Sequence, residues 1–181
     1  MSSATKQAII ASFLKLASKK PLEKITVRDI VDDCGINRNT FYYHFQDIFA
    51  VLEEICRTAT DTIDYNLPFG EMLCTFFLTL SKYAEAYPRA VEHLTASLGE
   101  RGTERYFAKH LDEIIFQKLT LAAPEQSPGM CRTATVFLRH ALLGLYLDFV
   151  DYRGKIDKEN LAARIGTLAN GVLLSLKTET L

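Results

Sequence analysis

Apolar residues return every three or four positions along almost the whole chain, and no stretch sustains the strict alternation of a half-buried strand. The pattern predicts an all-α protein. A first helix is expected over residues 5–18, with Ile9, Ile10, Phe13, Leu14 and Ala17 turned inward, ending before Pro21. "TVRD" then opens a second helix: Thr26 can cap the free amides and Asp29, three residues on, can return the bond and face the positive end of the helix dipole. Val27, Ile30, Val31 and Cys34 share one face of it, and Gly35 ends it. Asn37 caps a third helix in which Phe41 and Phe45, one turn apart, point into the core. A fourth should run from about residue 47 to 65, before Pro68. Further helices are expected over 70–86, 88–98, 103–121, 129–152 and 158–176, separated by "LPFG", "YPR", "GERGT", "APEQSPG" and "DYRGKID", which hold the Pro, Gly and small polar residues that interrupt helices. Without a repeat or a flexible linker, the division expected is residues 1–46 and 47–181, with the fourth helix joining two packed regions.

Two short helices meeting at Gly35, the second of them capped, make a helix-turn-helix signature. With Phe41 and Phe45 inward, the segment "CGINRNTFYYHF" leaves Arg38, Asn39, Thr40, Tyr42, Tyr43 and His44 on the other faces, all able to donate hydrogen bonds. At about 1.5 Å per residue the eight residues from Arg38 to Phe45 span roughly 12 Å, a match to a DNA major groove about 12 Å wide. Arg pairs with guanine, Asn with adenine, and Thr or Tyr with a thymine methyl or a phosphate. In an isolated helix the same residues would be ordinary surface; the capped preceding helix and the Gly turn are what raise them above it.

A formal net charge of −1 is unusual for a nucleic-acid binder, but its distribution matters more. Residues 1–46 hold seven Lys and Arg against four acids, a formal +3, which leaves −4 for the rest. With 48% hydrophobic and 24% charged residues the composition is that of a folded globular chain. The most apolar run, "FLRHALLGLYLDFV", is interrupted by Arg139, His140 and Asp148, short of the roughly 20 apolar residues of a membrane span, and the N-terminus lacks the pattern of a signal peptide. A cytoplasmic protein without a membrane partner is expected. Cys34, Cys56, Cys74 and Cys131 form no C-x-x-C pair and give no support to a zinc site, so no metal and no cofactor is expected. The chain has no P-loop, no G-x-G-x-x-G, no H-E-x-x-H and no G-x-S-x-G, which argues against an enzyme.

The stretch "ITVRDIVDDCGINRNTFYYHFQDIFAVLEEI" resembles the DNA-binding domain of TetR-family transcriptional regulators, with its capped helix, Gly-apolar turn and Tyr-x-His-Phe ending. The resemblance implies that Arg38, Asn39, Thr40 and Tyr43 approach bases while Thr26, Tyr42 and His44 hold phosphates; Arg28 and Asn37 complete the expected DNA-binding set. One position departs from the family pattern. Where many members place a phosphate-binding lysine at the start of the fourth helix, "FQDIF" has Ile48, so that either a backbone amide there takes the phosphate or DNA is held more weakly.

The resemblance fades after about Ile55, and it implies that the rest senses a ligand and forms a homodimer through the last two helices as a four-helix bundle. Their small residues Ala141, Gly144, Ala162, Ala163, Gly166, Ala169 and Gly171 allow close helix packing, and a dimer would set two reading helices roughly 34 Å apart on a palindromic operator in double-stranded DNA. For a small-molecule effector the apolar lining candidates are Phe76, Phe77, Tyr83, Phe107, Phe116, Phe137 and Tyr146, with His110 and His140 as polar ones; each is also ordinary core material. The reading is a DNA-binding regulator, a homodimeric repressor modulated by a ligand. The alternative is a co-regulator of the same fold, including an activator, governed by a protein partner, as in some family members of dihydroxyacetone metabolism that share the "FYYHF" type of ending.

Overall fold

The computed structural model describes residues 2–152 and 155–178. Among them there are helices and no strand, as the periodicity predicts. The N-terminal part holds α1 (Ser2–Ala17), a 3-10 turn (Leu22–Lys24), α2 (Val27–Cys34) and α3 (Arg38–His44). After these come α4 (Ile48–Asp61), α5 (Phe69–Ala86), α6 (Pro88–Ala122), α7 (Pro128–Asp151) and α8 (Lys158–Thr178). The "DYRGKID" break falls partly on residues 153 and 154, outside the described residues.

The local signals around α2 and α3 work as read. Thr26 accepts from the Asp29 amide at 3.2 Å while the Asp29 carboxylate accepts from the Thr26 amide at 2.8 Å, a complete capping box. Gly35 takes φ +66°, the left-handed conformation that ends a helix with no Cβ penalty. Its neighbour Ile36 then donates back to the Val31 carbonyl at 3.1 Å.

One helix and one break differ from expectation. α4 stops at Asp61 rather than near Tyr65: Thr62 donates its hydroxyl to the Ala59 carbonyl at 2.7 Å, and Asp64 bonds the amide of Asn66 to form a side-chain turn before Pro68. The helices expected over 88–98 and 103–121 are two helical segments that meet without a loop at Gly99, where φ is +64° and ψ 177°; together they make up α6. "GERGT" therefore bends the chain without opening a loop.

Buried side chains form two clusters. Ile9, Phe13, Ile30, Phe41, Phe45 and Val51 fill the N-terminal one, joined by Ala90 and Leu94 from the first part of α6. Met72, Phe77, Leu111, Ile115, Leu119 and Leu142 belong to the larger one. α4 and α6 each serve both clusters, α4 through Val51 and Leu52 at one end and Ala59 at the other. α5 and α8 cross so closely that a Cβ on Gly166 would stand 2.9 Å from the Gly70 carbonyl oxygen, and the Gly70 amide donates to Asn170 Oδ1 at 2.9 Å.

α7 corrects one expectation: by length and mean hydropathy it is long and apolar enough to cross a bilayer. Here it is a core helix, with Leu138, Leu142, Tyr146 and Phe149 buried and Arg139 held in ion pairs.

Candidate nucleic-acid interface and the adjoining cavity

α3 is fixed from beneath. Phe41 is fully buried, its ring 6.0 Å from that of Phe45, and Tyr42 meets the Phe41 ring edge-on at 5.6 Å. With that face anchored, Tyr43 is left 80% exposed and Tyr42 56%, and Arg38 and Asn39 are exposed beside them. His44 is half-buried against Tyr43, ring centroids 5.0 Å apart. None of Arg38, Asn39, Tyr42 or Tyr43 makes a hydrogen bond or ion pair among the described residues.

The other expected DNA-facing residues are engaged within the protein. Asn37 Oδ1 accepts from the Thr40 amide at 2.8 Å and from its hydroxyl at 3.0 Å, so both act in the cap of α3. Thr26 donates its hydroxyl to Asp29 at 2.6 Å, and Lys20 pairs with the same carboxylate at 2.9 Å. The Thr26 and Lys20 bonds hold the Asp29 carboxyl well below its ordinary range, at about 2. Arg28 lies exposed with Asp32 at 3.5 Å, a weak surface pair.

At the start of α4, Asp47 caps the helix by accepting from the Ala50 amide at 2.8 Å. The amide end that could have met a phosphate in place of the missing lysine thus already holds an internal anion. Ile48 packs half-buried against the N-terminal cluster.

A cavity of about 110 Å³ lies where the clusters meet, lined by Leu14 of α1, Leu52, Cys56 and Ala59 of α4, Tyr83 of α5, Leu98, Thr103, Tyr106 and Phe107 of α6, and Tyr146 of α7. Of the residues expected around an effector, it gathers Tyr83, Phe107 and Tyr146. Phe76 stands one layer behind, its ring 6.4 Å from Phe107, and Phe77 packs on Phe149 at 5.9 Å. Phe116 lies under the Arg132 guanidinium at 4.6 Å, away from the cavity. Phe137 is 62% exposed, and His140 is exposed on the same α7 face. His110 is half-buried, its Nε2 without a partner among the described residues, and burial lowers its pKa. A larger cleft of about 520 Å³ between residues 84–92 and 149–151 contains none of the expected residues.

Sequence reasoning missed Leu14, Leu52, Cys56 and Tyr106, which reach the cavity from the N-terminal side. It also missed the pairing of Arg139, whose side chain is 7% exposed, with Asp112 at 2.7 Å and Glu104 at 2.8 Å. An arginine inside an apolar heptad pattern was the available signal. Burial pushes the Cys56 thiol up to about 12 and raises the Tyr146 phenol as well.

Residues 9–55 match the family model described as bacterial regulatory proteins, tetR family. A stretch of 51 residues is 35% identical to the uncharacterized HTH-type transcriptional regulator YerO of Bacillus subtilis (strain 168). That stretch covers 28% of this chain and 18% of that protein. Over nearly the whole chain, the fold is shared with the dihydroxyacetone kinase operon activator DhaS, at a TM-score of 0.65, 18% identity and 96% coverage of both chains. It is shared too with a TetR transcriptional regulator from Streptococcus agalactiae 2603V, at 0.64, 20% identity, and 93% and 94% coverage of this chain and that one.

Proposed function

Because the chain belongs to the tetR family of bacterial regulatory proteins, by the match of its N-terminal domain, we propose that it regulates transcription by binding a palindromic operator as a homodimer. The observation that carries this is α3: a helix anchored by Phe41 and Phe45 that leaves Arg38, Asn39, Tyr42 and Tyr43 exposed and unengaged. Groups able to hydrogen-bond and held ready on a rigid helix suit base readout, and the α2 capping box fixes the angle at which that helix is presented.

Dimerisation through α7 and α8 is supported by what their outer faces expose. Phe137 is 62% exposed, Leu168 66% and Leu174 62%, and a Cβ added at Gly144 or Gly171 would meet nothing within 4 Å. Such a face has room and apolar area for helices of a second copy. A repressor relieved by a small effector is the mode supported by the cavity between reading head and body, and the place of action is the cytoplasm. The family is one of regulators rather than enzymes, consistent with a sequence without catalytic motifs.

A second reading is favoured by one observation. With Asp47 capping α4 and Ile48 in place of a cation, DNA affinity would be low without help. A co-regulator governed by a protein partner, acting as an activator, would accommodate that, and DhaS, which shares the fold, is an operon activator.

Selecting bound sites from random-sequence DNA with the purified chain tests the main reading. It should enrich a two-fold palindrome with half-sites about one helical turn apart. Substituting Arg38 or Tyr43 should alter base preference, while Tyr42→Phe should weaken all sequences alike. Failure to enrich any sequence would sink the operator reading; enrichment only after a co-purifying protein is added would favour the second.

A further inference from the structure

The cavity lies at the joint of the molecule. Leu14 and Leu52 of its wall belong to the N-terminal cluster, Ala59 and Tyr146 to the larger one. It also wraps the α6 break, with Leu98 on one side of Gly99 and Thr103 on the other.

No Lys, Arg, His, Asp or Glu lines it. The two threonine hydroxyls in its wall are turned to their own helix, Thr95 to the Val91 carbonyl and Thr103 to the Gly99 carbonyl, both at 2.9 Å. Tyr83, Tyr87 and Tyr106 are partly exposed and can meet water. Tyr146 is different: it is 5% exposed, lines the cavity, and has no hydrogen bond among the described residues. Its ring is buried while its hydroxyl oxygen is not among the sealed, unpartnered atoms of the described residues, so the oxygen is open to the cavity, where a ligand atom can bond it. A cavity of about 150 Å³ takes up benzene, with its six heavy atoms; this one, at about 110 Å³, takes a molecule of roughly four heavy atoms. A carboxylate or ammonium entering it would lose water and find no counter-charge.

We propose that this cavity binds a compact, uncharged, largely hydrocarbon molecule with one hydroxyl or carbonyl oxygen, which bonds the Tyr146 hydroxyl, and that filling it resets the angle of α6 at Gly99. The wall shared by the two clusters means that an occupant contacts the reading head directly through Leu14 and Leu52. The coupling to DNA rests on the regulator reading above; the binding does not.

Three probes with one three-carbon skeleton test it on the full chain: propane, propan-1-ol and propanoate, followed by methyl chemical shifts of the lining residues and by the melting temperature. The hydrocarbon and the alcohol should bind and stabilise, as any ligand specific to the folded state does. The carboxylate at pH 7 should leave both readouts unchanged. Tyr146→Phe should weaken the alcohol about fivefold, the equivalent of one hydrogen bond, and leave the hydrocarbon unaffected. Ala59→Leu, which fills the cavity, should abolish binding of both while the helical circular dichroism and cooperative melting persist. Binding of the carboxylate as tight as that of the alcohol, or equal effects of Tyr146→Phe on alcohol and hydrocarbon, would overturn the ligand class; binding by none of the probes would overturn the site. Binding without any change in affinity for a selected operator would refute the coupling alone, whereas failure to select any DNA would refute the regulator reading and leave the binding result standing.

Discussion

The close crossing of α5 and α8 makes opposite predictions for glycines that look alike in sequence. An alanine methyl at position 166 would stand 2.9 Å from the Gly70 carbonyl oxygen and 3.3 Å from its carbon. These are backbone atoms that cannot rotate away, so the helices must part by roughly half an ångström or more from ordinary contact distance. Overpacking of this kind costs about 1–3 kcal/mol. Parting also strains the bond from the Gly70 amide to Asn170 Oδ1, now 2.9 Å, worth about 1 kcal/mol. Against these, alanine gains up to about 1 kcal/mol of helix propensity. The net loss for Gly166→Ala is then about 2 kcal/mol, a fall in Tm of about 4–8 °C for a chain of this size. Gly144→Ala meets open space within one chain; in the monomer only the propensity term remains, so Tm should rise by about 2–4 °C at a protein concentration too low for dimers. Thermal melts of both variants at one protein concentration settle the signs. A Gly166→Ala protein as stable as the parent would refute the close crossing. Sedimentation adds a second readout, because a methyl on the outer face of α7 should raise the dimer dissociation constant if that face meets its copy.

Three further outcomes are expected. Glu54 bonds Arg57 at 2.6 Å and Lys6 at 2.7 Å, and Arg57 first, then Lys6, hold its carboxyl down at about 2 from 4.5; its stabilisation, at most about 3 kcal/mol, is present above pH 4.5 and lost toward pH 2, so Glu54→Gln should lower stability at pH 7 and flatten the acid limb of a denaturation profile. Arg139→Ala should destabilise the chain chiefly through the lost packing of the buried stem, since the Glu104 and Asp112 carboxylates it leaves behind can meet water, whereas Arg139→Met, which loses the same pairs but keeps the stem, should destabilise it less, read as a smaller shift in urea midpoint at constant slope. Ile48→Lys should tighten binding to a selected operator and steepen its salt dependence by about one phosphate contact, and an unchanged slope would show that this position does not reach DNA.

What could be read from the sequence was what neighbours in the chain decide. Thr26 and Asp29 make a capping box from residues three apart, and Gly35, Asn37, Phe41 and Phe45 fix a turn and a helix within eleven positions. The helix-turn-helix was legible for that reason. Arg139 was not, because the carboxylates that permit its burial lie 27 and 35 residues earlier on α6. The cavity was half legible: aromatic content singled out Tyr83, Phe107 and Tyr146, while Leu14 and Leu52 reach it only because α1 and α4 pack against α6. Phe137 and His140 were equally aromatic or polar, but their place on the exposed face of α7 is set by which side of that helix packs on α5, α6 and α8.

α6 shows how a local irregularity can organise both regions. Its early residues Ala90 and Leu94 are buried with α1–α3, and the Ser97 hydroxyl, which accepts from the Leu22 amide at 3.3 Å and donates to the Glu23 carboxylate at 2.8 Å, with His93 on the Ala17 carbonyl at 2.7 Å, ties that half to the reading head. Its later residues Leu111, Ile115 and Leu119 are buried in the body. A straight helix would fix the angle between the two groups, and Gly99 is where it is set instead. With φ +64° and ψ 177°, Gly99 occupies backbone space that is essentially closed to other residues, and since a Cβ there would touch nothing within 4 Å, conformation rather than packing requires the glycine. Gly99→Ala should therefore cost about 1–3 kcal/mol if the bend is kept. If instead α6 straightens, the cost is smaller, but Leu98 and Thr103 shift relative to each other and the cavity changes shape. The first result is read as a lower Tm with the methyl shifts kept, the second as altered methyl shifts at Leu98 and Leu94. An alanine variant with parental stability and unchanged shifts would mean that residue 99 does not set the angle between head and body.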